Sequence, residues 1–212
     1  MSYLVLSGSD SLSTITASKM IVWIIDNLNE AVGRFWTDEM LLRWINAGIR
    51  DIAVKTLCNG SDESITLAAD TLEYDLTDSS NAALVAAVYD NRKGIKKGHP
   101  GKVGYVHDVG EPEYFYYWNG KVGFYPVPLV GSAAIGKSIK LYLANLPDYI
   151  NLTDTIPLPK NYEQPLVNFV TAEAWYRDQQ DIRADKRKAM YEAEIDRYRI
   201  DFHEPEVDEE SQ

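Results

Sequence analysis

The segment from Gly131 to Ser138 has the residue types and the spacing of a phosphate-binding loop. It reads Gly-Ser-Ala-Ala-Ile-Gly-Lys-Ser, with Lys137 directly after the second glycine. In such a loop, backbone amides and the dipole of the helix that follows hold the phosphates. The chemistry would therefore be nucleotide binding, provided that a buried strand precedes the glycines and a helix follows them.

The neighbours of this loop favour a different structure. Pro126 and Pro128 stand just before it, and proline is confined to edges and ends of strands. Residues 138–144 after it alternate between polar and apolar types, which is typical of a strand and not of a helix. The sequence thus predicts a turn between two strands, with nucleotide binding by residues 131–138 as the alternative.

The other reactive residues lack the spacing that metal or nucleophilic chemistry requires. His99, His107 and His203 lie in different segments without ligand spacing, and Cys58 has no partner cysteine. Because Cys58 follows an apolar helical pattern, we expect it to be a small core residue and not a nucleophile. Acid pairs such as Asp38-Glu39 stand where a helix start favours negative charge. We therefore predict no enzyme activity, no catalytic residues, no metal and no cofactor.

The composition points away from a protein that grips nucleic acid. The chain has 212 residues and a formal net charge of -11, whereas binding to phosphates depends on Lys and Arg. An acidic surface instead lets DNA pass without holding it. The basic stretch 92–100 contains Gly and Pro and is predicted to be a solvated loop. No apolar run approaches the roughly 20 residues of a membrane span, so no membrane contact is expected.

An aromatic block spans Tyr114 to Trp118, with Phe124 and Tyr125 shortly after it. Aromatic platforms can stack bases, but they normally accompany a basic groove, and Glu111 and Glu113 precede this block. Alternation along a strand sends successive rings to opposite faces. We therefore expect core packing on one face and a protein contact on the other.

Two amphipathic helices occupy the N-terminal region. The first is predicted from about Thr16 to Ala31 and ended by Gly33, and the second from Asp38 to about Leu57 with Thr37 as its N-cap. Gly48 inside the second helix marks a close approach of another element. The residues expected to form the core of the helical part are Trp36, Leu41, Trp44, Ile45, Ile49 and Ile52.

A β-rich region follows, because the apolar period changes from 3.6 to 2 at about Ser64. Residues 65–67 and 72–76 alternate around Ala69-Asp70, which suits a short hairpin, and 84–89 reads as a buried strand. Asn119-Gly120 is a strong hairpin signal between 114–118 and 121–125. With the strand near 137–144, these segments predict a small, largely antiparallel sheet or barrel of about six strands.

Two more helices and an acidic tail complete the chain. Asn161 is the expected N-cap of a helix to about Asp178, and a last helix runs from about Asp181 to Phe202. The fold class is therefore α+β, with a helical bundle formed by the N- and C-terminal helices and an inserted small antiparallel β domain. The expected parts are a flexible extension at 1–15, the bundle at 16–60 and 157–202, the β-rich insertion at 61–156 and the acidic tail at 203–212.

Several motifs together resemble the head-to-tail adaptor, or connector, proteins of tailed bacteriophages, including the tail tubular protein A type. They are Phe35-Trp36-Thr37-Asp38, Leu42-Arg43-Trp44-Ile45-Asn46-Ala47-Gly48 with Arg50-Asp51-Ile52-Ala53, Tyr74-Asp75-Leu76, Phe124-Tyr125-Pro126-Val127-Pro128, and Ile156-Pro157-Leu158-Pro159 ahead of Ala172-Glu173-Ala174. The resemblance covers most of the chain but leaves the N-terminal extension and the loop at 91–110 without an assigned role.

The resemblance implies a structural virion protein at the head–tail interface, assembled in the host cytoplasm. It implies a ring, commonly of twelve copies, below the portal protein, with tail proteins such as a nozzle, tail terminator or fibre on the other side. DNA would pass through the lumen without specific binding. The C-terminal segment would contact the portal, and the residues we nominate for this contact are Tyr198, Phe202, Glu204, Glu206 and Val207. A tail completion factor or another protein-binding module is the remaining alternative.

Overall fold

The structure, a computed structural model, describes residues 12–29, 35–76, 81–101 and 110–200. In this part of the chain, the fold is α+β, with four α-helices and a seven-stranded sheet. The chain divides into two compact units. Met1–Cys58 and Pro147–Gln212 form the first unit, and Asn59–Leu146 form the second.

The first unit contains helices α1 (Ala17–Leu28), α2 (Asp38–Thr56), α3 (Glu163–Arg177) and α4 (Asp181–Ile200). Thr37 is confirmed as the N-cap of α2, since its hydroxyl accepts from the Met40 amide at 3.3 Å. Helix α1 ends earlier than predicted, because Asn29 adopts the left-handed conformation with φ 55°. Gly33, the predicted stop, lies outside the described residues.

The start of α3 also differs from the sequence prediction. A 3-10 turn at Lys160–Tyr162 precedes the helix, and Tyr162 occupies the N-cap position without a side-chain cap bond. Asn161 is therefore not the cap. Pro165 is tolerated in the first turn of α3, where its missing N–H would have no partner within the helix.

The core of the first unit is formed by the inward faces of the four helices. Leu41, Ile45, Ile49 and Ile52 are almost fully buried on α2. Trp36 is 4% exposed and meets Trp44 edge to face at 5.5 Å between ring centres, but Trp44 is only partly buried at the margin of the core.

Extended segments before α1 and before α3 also contribute to this core. Residues 12–16 run antiparallel to 155–159, with bridges at Leu12–Pro159 and Thr16–Thr155. Ile15 is buried, so the described end of the expected flexible extension is ordered against the helices. Residues 147–156, expected in the β insertion, belong to the first unit, and Ile156 and Leu158 are buried in its core.

The second unit is the sheet, in the order β1-β7-β3-β4-β5-β6-β2. Its strands are β1 (Gly60–Thr66), β2 (Glu73–Asp75), β3 (Asn81–Tyr89), β4 (Lys93–Lys97), β5 (Tyr114–Trp118), β6 (Lys121–Tyr125) and β7 (Ser138–Asn145). Neighbouring strands are antiparallel except β4 and β5, which are parallel. Its core includes Ile65, Leu84, Phe115, Phe124, Ile139 and Leu141.

Three sequence expectations for the sheet have clear outcomes. The β5–β6 hairpin is confirmed, with Asn119 at φ 50° and Gly120 at φ 76°. The hairpin at Ala69-Asp70 is wrong, because β1 pairs with β7 and β2 pairs with β6 at opposite edges of the sheet. The solvated loop at 92–100 is wrong over Lys93–Lys97, where β4 buries Ile95 between exposed lysines.

Candidate partner-binding surfaces and the residues that hold them

The α2 motif around Asn46 attaches the segment after the sheet to the helices. Asn46 is buried, and its amide nitrogen donates to the carbonyls of Leu42 at 3.2 Å and Ile150 at 3.0 Å. Its amide oxygen accepts from the Ile150 N–H at 2.8 Å. One side chain thus completes both backbone groups of Ile150, as a neighbouring strand would do.

We expect Asn46→Ala to lower the free energy of unfolding by about 2 kcal/mol, because it leaves the Ile150 amide and carbonyl without their partner. Urea unfolding would measure the loss, and hydrogen exchange should accelerate at Ile150. Arg43→Ala, on an exposed position of the same helix, is the matched control and should stay within about 0.5 kcal/mol of the parent. Equal stability of the two variants would contradict this role of Asn46.

Gly48 lies where α2 and α3 come close together. A Cβ atom at this position would meet Leu166 Cδ1 at 2.6 Å and Phe169 Cδ1 at 2.8 Å, both of α3. Real Cβ atoms do not approach neighbours this closely. The absence of a side chain at Gly48 therefore sets the distance between the two helices.

Arg50 and Asp51 of α2 connect this helix to the segment 147–149 and to α4. Arg50 Nη1 donates to the Pro147 carbonyl at 3.2 Å, and its guanidinium lies 5.0 Å from the centre of the Tyr149 ring. Asp51 Oδ2 accepts a hydrogen bond from the Tyr191 hydroxyl of α4 and pairs with Lys55 Nζ at 2.8 Å. Burial, and then the bond to the Asp51 carboxylate, raise the pKa of Tyr191 well above its ordinary value.

A second polar network joins α1, α3 and α4 through Arg187. Its guanidinium donates to Asn168 Oδ1 at 2.8 Å and to Asn27 Oδ1 at 2.9 Å. Asn168 is fully buried and is also bonded to Gln164 and Glu194. The sequence pattern did not predict this network; its one local signal is Asn168, a polar residue within an apolar run of α3. It fixes three helices with hydrogen bonds to one cation.

The aromatic block of β5 divides between the two faces of the sheet. Phe115 is buried in the sheet core, with Tyr117 partly buried against it. On the other face, Tyr114 stacks on Tyr125 at 5.1 Å between ring centres, and Tyr116 Oη donates to Glu73 Oε1 at 2.8 Å. Trp118 at the end of β5 is 68% exposed. This exposed ring is available for a protein contact on the second unit.

The segment that matches a phosphate-binding loop lacks the helix needed to hold phosphates. Turns occupy 133–136, and Ser138 begins strand β7. Lys137 Nζ forms an ion pair with Asp90 Oδ2 at 3.0 Å and so has an anionic partner within the protein. The predicted turn between strands is confirmed, and the geometry gives the alternative of nucleotide binding no support.

The other described candidates for reactive chemistry, Cys58 and His99, have surroundings that belong to the fold. Burial raises the pKa of the Cys58 thiol, which favours the unreactive protonated form. His99 accepts from the Gly101 amide at 3.0 Å within its own turn. Among the described residues, no group of three or more His, Cys, Asp or Glu side chains could hold a metal ion. His107 and His203 lie outside the described part of the chain.

The residues nominated for portal contact lie at or beyond the end of α4. Tyr198 is within α4, but its side chain is not described. Phe202, Glu204, Glu206 and Val207 lie outside the described residues. No helix in the described ranges is both long and apolar enough to cross a bilayer.

These features define a class of protein. The polar contacts of the α2 motif and of Arg187 hold helices and extended segments of the first unit in place. The class is an α+β protein whose described polar networks connect elements of the fold, and it exposes Trp118 on the sheet.

Comparison with known proteins assigns the particular family. The family model described as SU10 adaptor protein matches residues 13–209, which is most of the chain. The chain therefore belongs to the SU10 adaptor protein family and is a bacteriophage adaptor, a structural component of the virion. No curated protein matches the chain.

Proposed function

We propose that this adaptor forms a ring below the portal, joins the capsid vertex to the tail and provides a conduit for DNA. The observation that carries the proposal is the match to the adaptor family over residues 13–209. Portal and tail proteins are the partners proposed on its two sides. A ring of identical subunits requires a heterologous interface that closes by rotation, and twelve copies are proposed here.

The architecture proposed for the ring subunit is one bundle of α1 to α4 with the sheet unit inserted after α2. Contacts of α3 with α4, α2 and α1 support the bundle. A net charge of -11 supports the conduit, because an acidic wall repels the phosphates of passing DNA at short range. The exposed Trp118 on the sheet unit supports a protein contact there.

The portal contact is proposed for the end of α4 and the tail, through Tyr198, Phe202, Glu204, Glu206 and Val207. Large aromatic side chains carry a disproportionate share of interface energy. We expect Phe202→Ala to weaken portal binding by roughly 30-fold, the equivalent of about 2 kcal/mol. Removal of residues 203–212, which takes away Glu204, Glu206 and Val207, should also weaken portal binding. Affinity would be measured against purified portal rings, with ring formation followed by negative-stain microscopy.

Phe35→Ala is the matched control for this experiment. Phe35 is 55% exposed on the first unit, just before α2, and it undergoes the same change of side chain without belonging to the residues nominated for the portal contact. Its effect on portal affinity should be small. If both the truncated chain and Phe202→Ala bind the portal as tightly as the parent, the proposed contact is refuted.

A further inference from the structure

A groove between α3 and α4 carries the strongest unassigned feature of the first unit. It encloses about 470 Å³ and is lined by Trp175, Arg183, Lys186, Arg187 and Met190. The four α4 residues recur at helical spacing and so share one face of the helix. Met190 is 42% exposed although it is apolar. The groove therefore combines an apolar floor with a cationic rim.

Two of the cations have no anionic partner within the described part of the chain. Arg183 Nη1 donates to the neutral Gln180 Oε1 at 2.9 Å. The ion pairs in the described ranges use Lys55, Lys121, Lys137 and Lys140, and none uses Arg183 or Lys186. The nearby carboxylate of Asp185 accepts from Tyr176 Oη at 2.7 Å. In an acidic protein, this rim is a cationic surface that an anion can still neutralise.

The chemistry of the groove matches the chain's own acidic tail. Residues 203–212 contain five carboxylates, at Glu204, Glu206, Asp208, Glu209 and Glu210, together with one aliphatic side chain, Val207. Carboxylates suit Arg183 and Lys186, and Val207 suits the exposed surface of Trp175 and Met190. The charges and the apolar side chain of the tail are thus complementary to those of the groove.

The length of the tail also fits the groove. A helical rise of about 1.5 Å per residue places Lys186 about 21 Å and Arg183 about 26 Å back from Ile200 along α4. An extended chain covers about 3.3 Å per residue, so Glu206 and Asp208 reach these two levels if the chain reverses directly after α4. A reversal that uses two residues brings Asp208 and Glu210 to the same levels. In either case a carboxylate of the tail is within reach of each of the two levels.

We propose that the acidic tail, residues 203–212, folds back along α4 of the same chain and occupies this groove before assembly. Its carboxylates bind Arg183 and Lys186, and Val207 packs against Trp175 and Met190. Because the tail remains tethered, its effective concentration at the groove is in the millimolar range, of order 1 mM or more, so weak pairwise contacts suffice. A tail held in this way is withheld from any other partner until that partner competes for it.

Paramagnetic relaxation in the full-length protein tests the inference. A spin label is attached at Ser211→Cys in a Cys58→Ser background, and the amide signals of α4 are recorded. We expect broadening at 183–190 that disappears in Arg183→Glu/Lys186→Glu, and that weakens at 1 M salt, where the screening length is about 3 Å. Lys19→Glu/Lys160→Glu, with the same change of charge on exposed positions outside the groove, should keep the broadening.

Two results would overturn the proposal. Signals at 183–190 that are unaffected by the label, in a protein whose amide spectrum shows the native fold, mean that the tail does not occupy the groove. A mixture of isotope-labelled chains without the spin label and spin-labelled chains without the isotope detects tails of other copies. Broadening in this mixture as strong as in the chain that carries both labels assigns the groove to the tail of a second copy.

Discussion

Gly48→Leu is expected to lower the free energy of unfolding by about 3 kcal/mol, the upper part of the usual range for overpacking a core. A Cβ atom alone would lie 2.6 Å from Leu166 and 2.8 Å from Phe169. Leucine adds three further carbons, so α3 must move away from α2. Leucine is also a better helix former than glycine by about 0.8 kcal/mol, so a loss of stability can only come from packing.

Ala47→Leu supplies the matched control for the packing effect. Ala47 is the neighbouring residue on α2 and is exposed, so the same large side chain meets solvent there. Urea unfolding should show a change within about 0.5 kcal/mol for this variant. The double variant Gly48→Leu/Leu166→Ala should lose less stability than the sum of the two single variants, because Leu166→Ala removes the side chain that the new leucine meets. Additive losses in the double variant would contradict direct contact.

Local patterns explain which elements could be predicted from the sequence. The caps and faces of the helices depend on neighbouring residues, and Thr37 and the Ile45–Ile49–Ile52 face follow directly from them. The β5–β6 hairpin is likewise local, since Asn119-Gly120 supplies both positive φ values. Gly48 could be predicted as a close approach, but its partners on α3 could not, because nothing local identifies them.

Pairings between distant segments explain what the sequence could not predict. Ile65 of β1 pairs with Ile139 of β7, and Tyr74 of β2 pairs with Val122 of β6, so the turn between β1 and β2 does not make them neighbours. Asn46 reads as a polar residue of a helix, yet its partner Ile150 is 104 residues away. Strand β4 contains a single buried apolar residue among lysines and glycine, too weak a signal for a strand.

The candidate sites also differ in whether local sequence could predict them. The acidic composition of the tail is visible in the sequence and suggested a partner. The groove is not visible as a site, because Trp175 belongs to α3 and the cations belong to α4. The neighbours of the phosphate-loop match favoured a turn over nucleotide binding, since residues 138–144 alternate as a strand. The Asp51–Tyr191 bond could not be predicted, because it joins α2 to α4 across the core.

Tyr191→Phe is expected to cost about 2 kcal/mol at pH 7 and distinctly less at pH 11. The ring keeps its core position against Phe169, at 5.3 Å between ring centres, so the loss comes from the hydrogen bond to the Asp51 carboxylate. Bonds to charged acceptors contribute about 1.5–3 kcal/mol. Urea denaturation of the parent and the variant at pH 7 and pH 11 would measure the free energies of unfolding.

The sign of the pH effect follows from the raised pKa of Tyr191. In the unfolded chain its hydroxyl ionises near the ordinary tyrosine pKa of 10.0, whereas the folded state keeps it protonated. The stabilisation is therefore complete below pH 10 and falls by about 1.4 kcal/mol per pH unit above it, until the folded pKa is reached. Tyr149→Phe is the control for the loss of a tyrosine hydroxyl, because Tyr149 is 72% exposed, and its effect on stability at pH 7 should be small. A Tyr191→Phe penalty that stays constant or grows between pH 7 and pH 11 would show that the hydroxyl is not held protonated by Asp51 and burial.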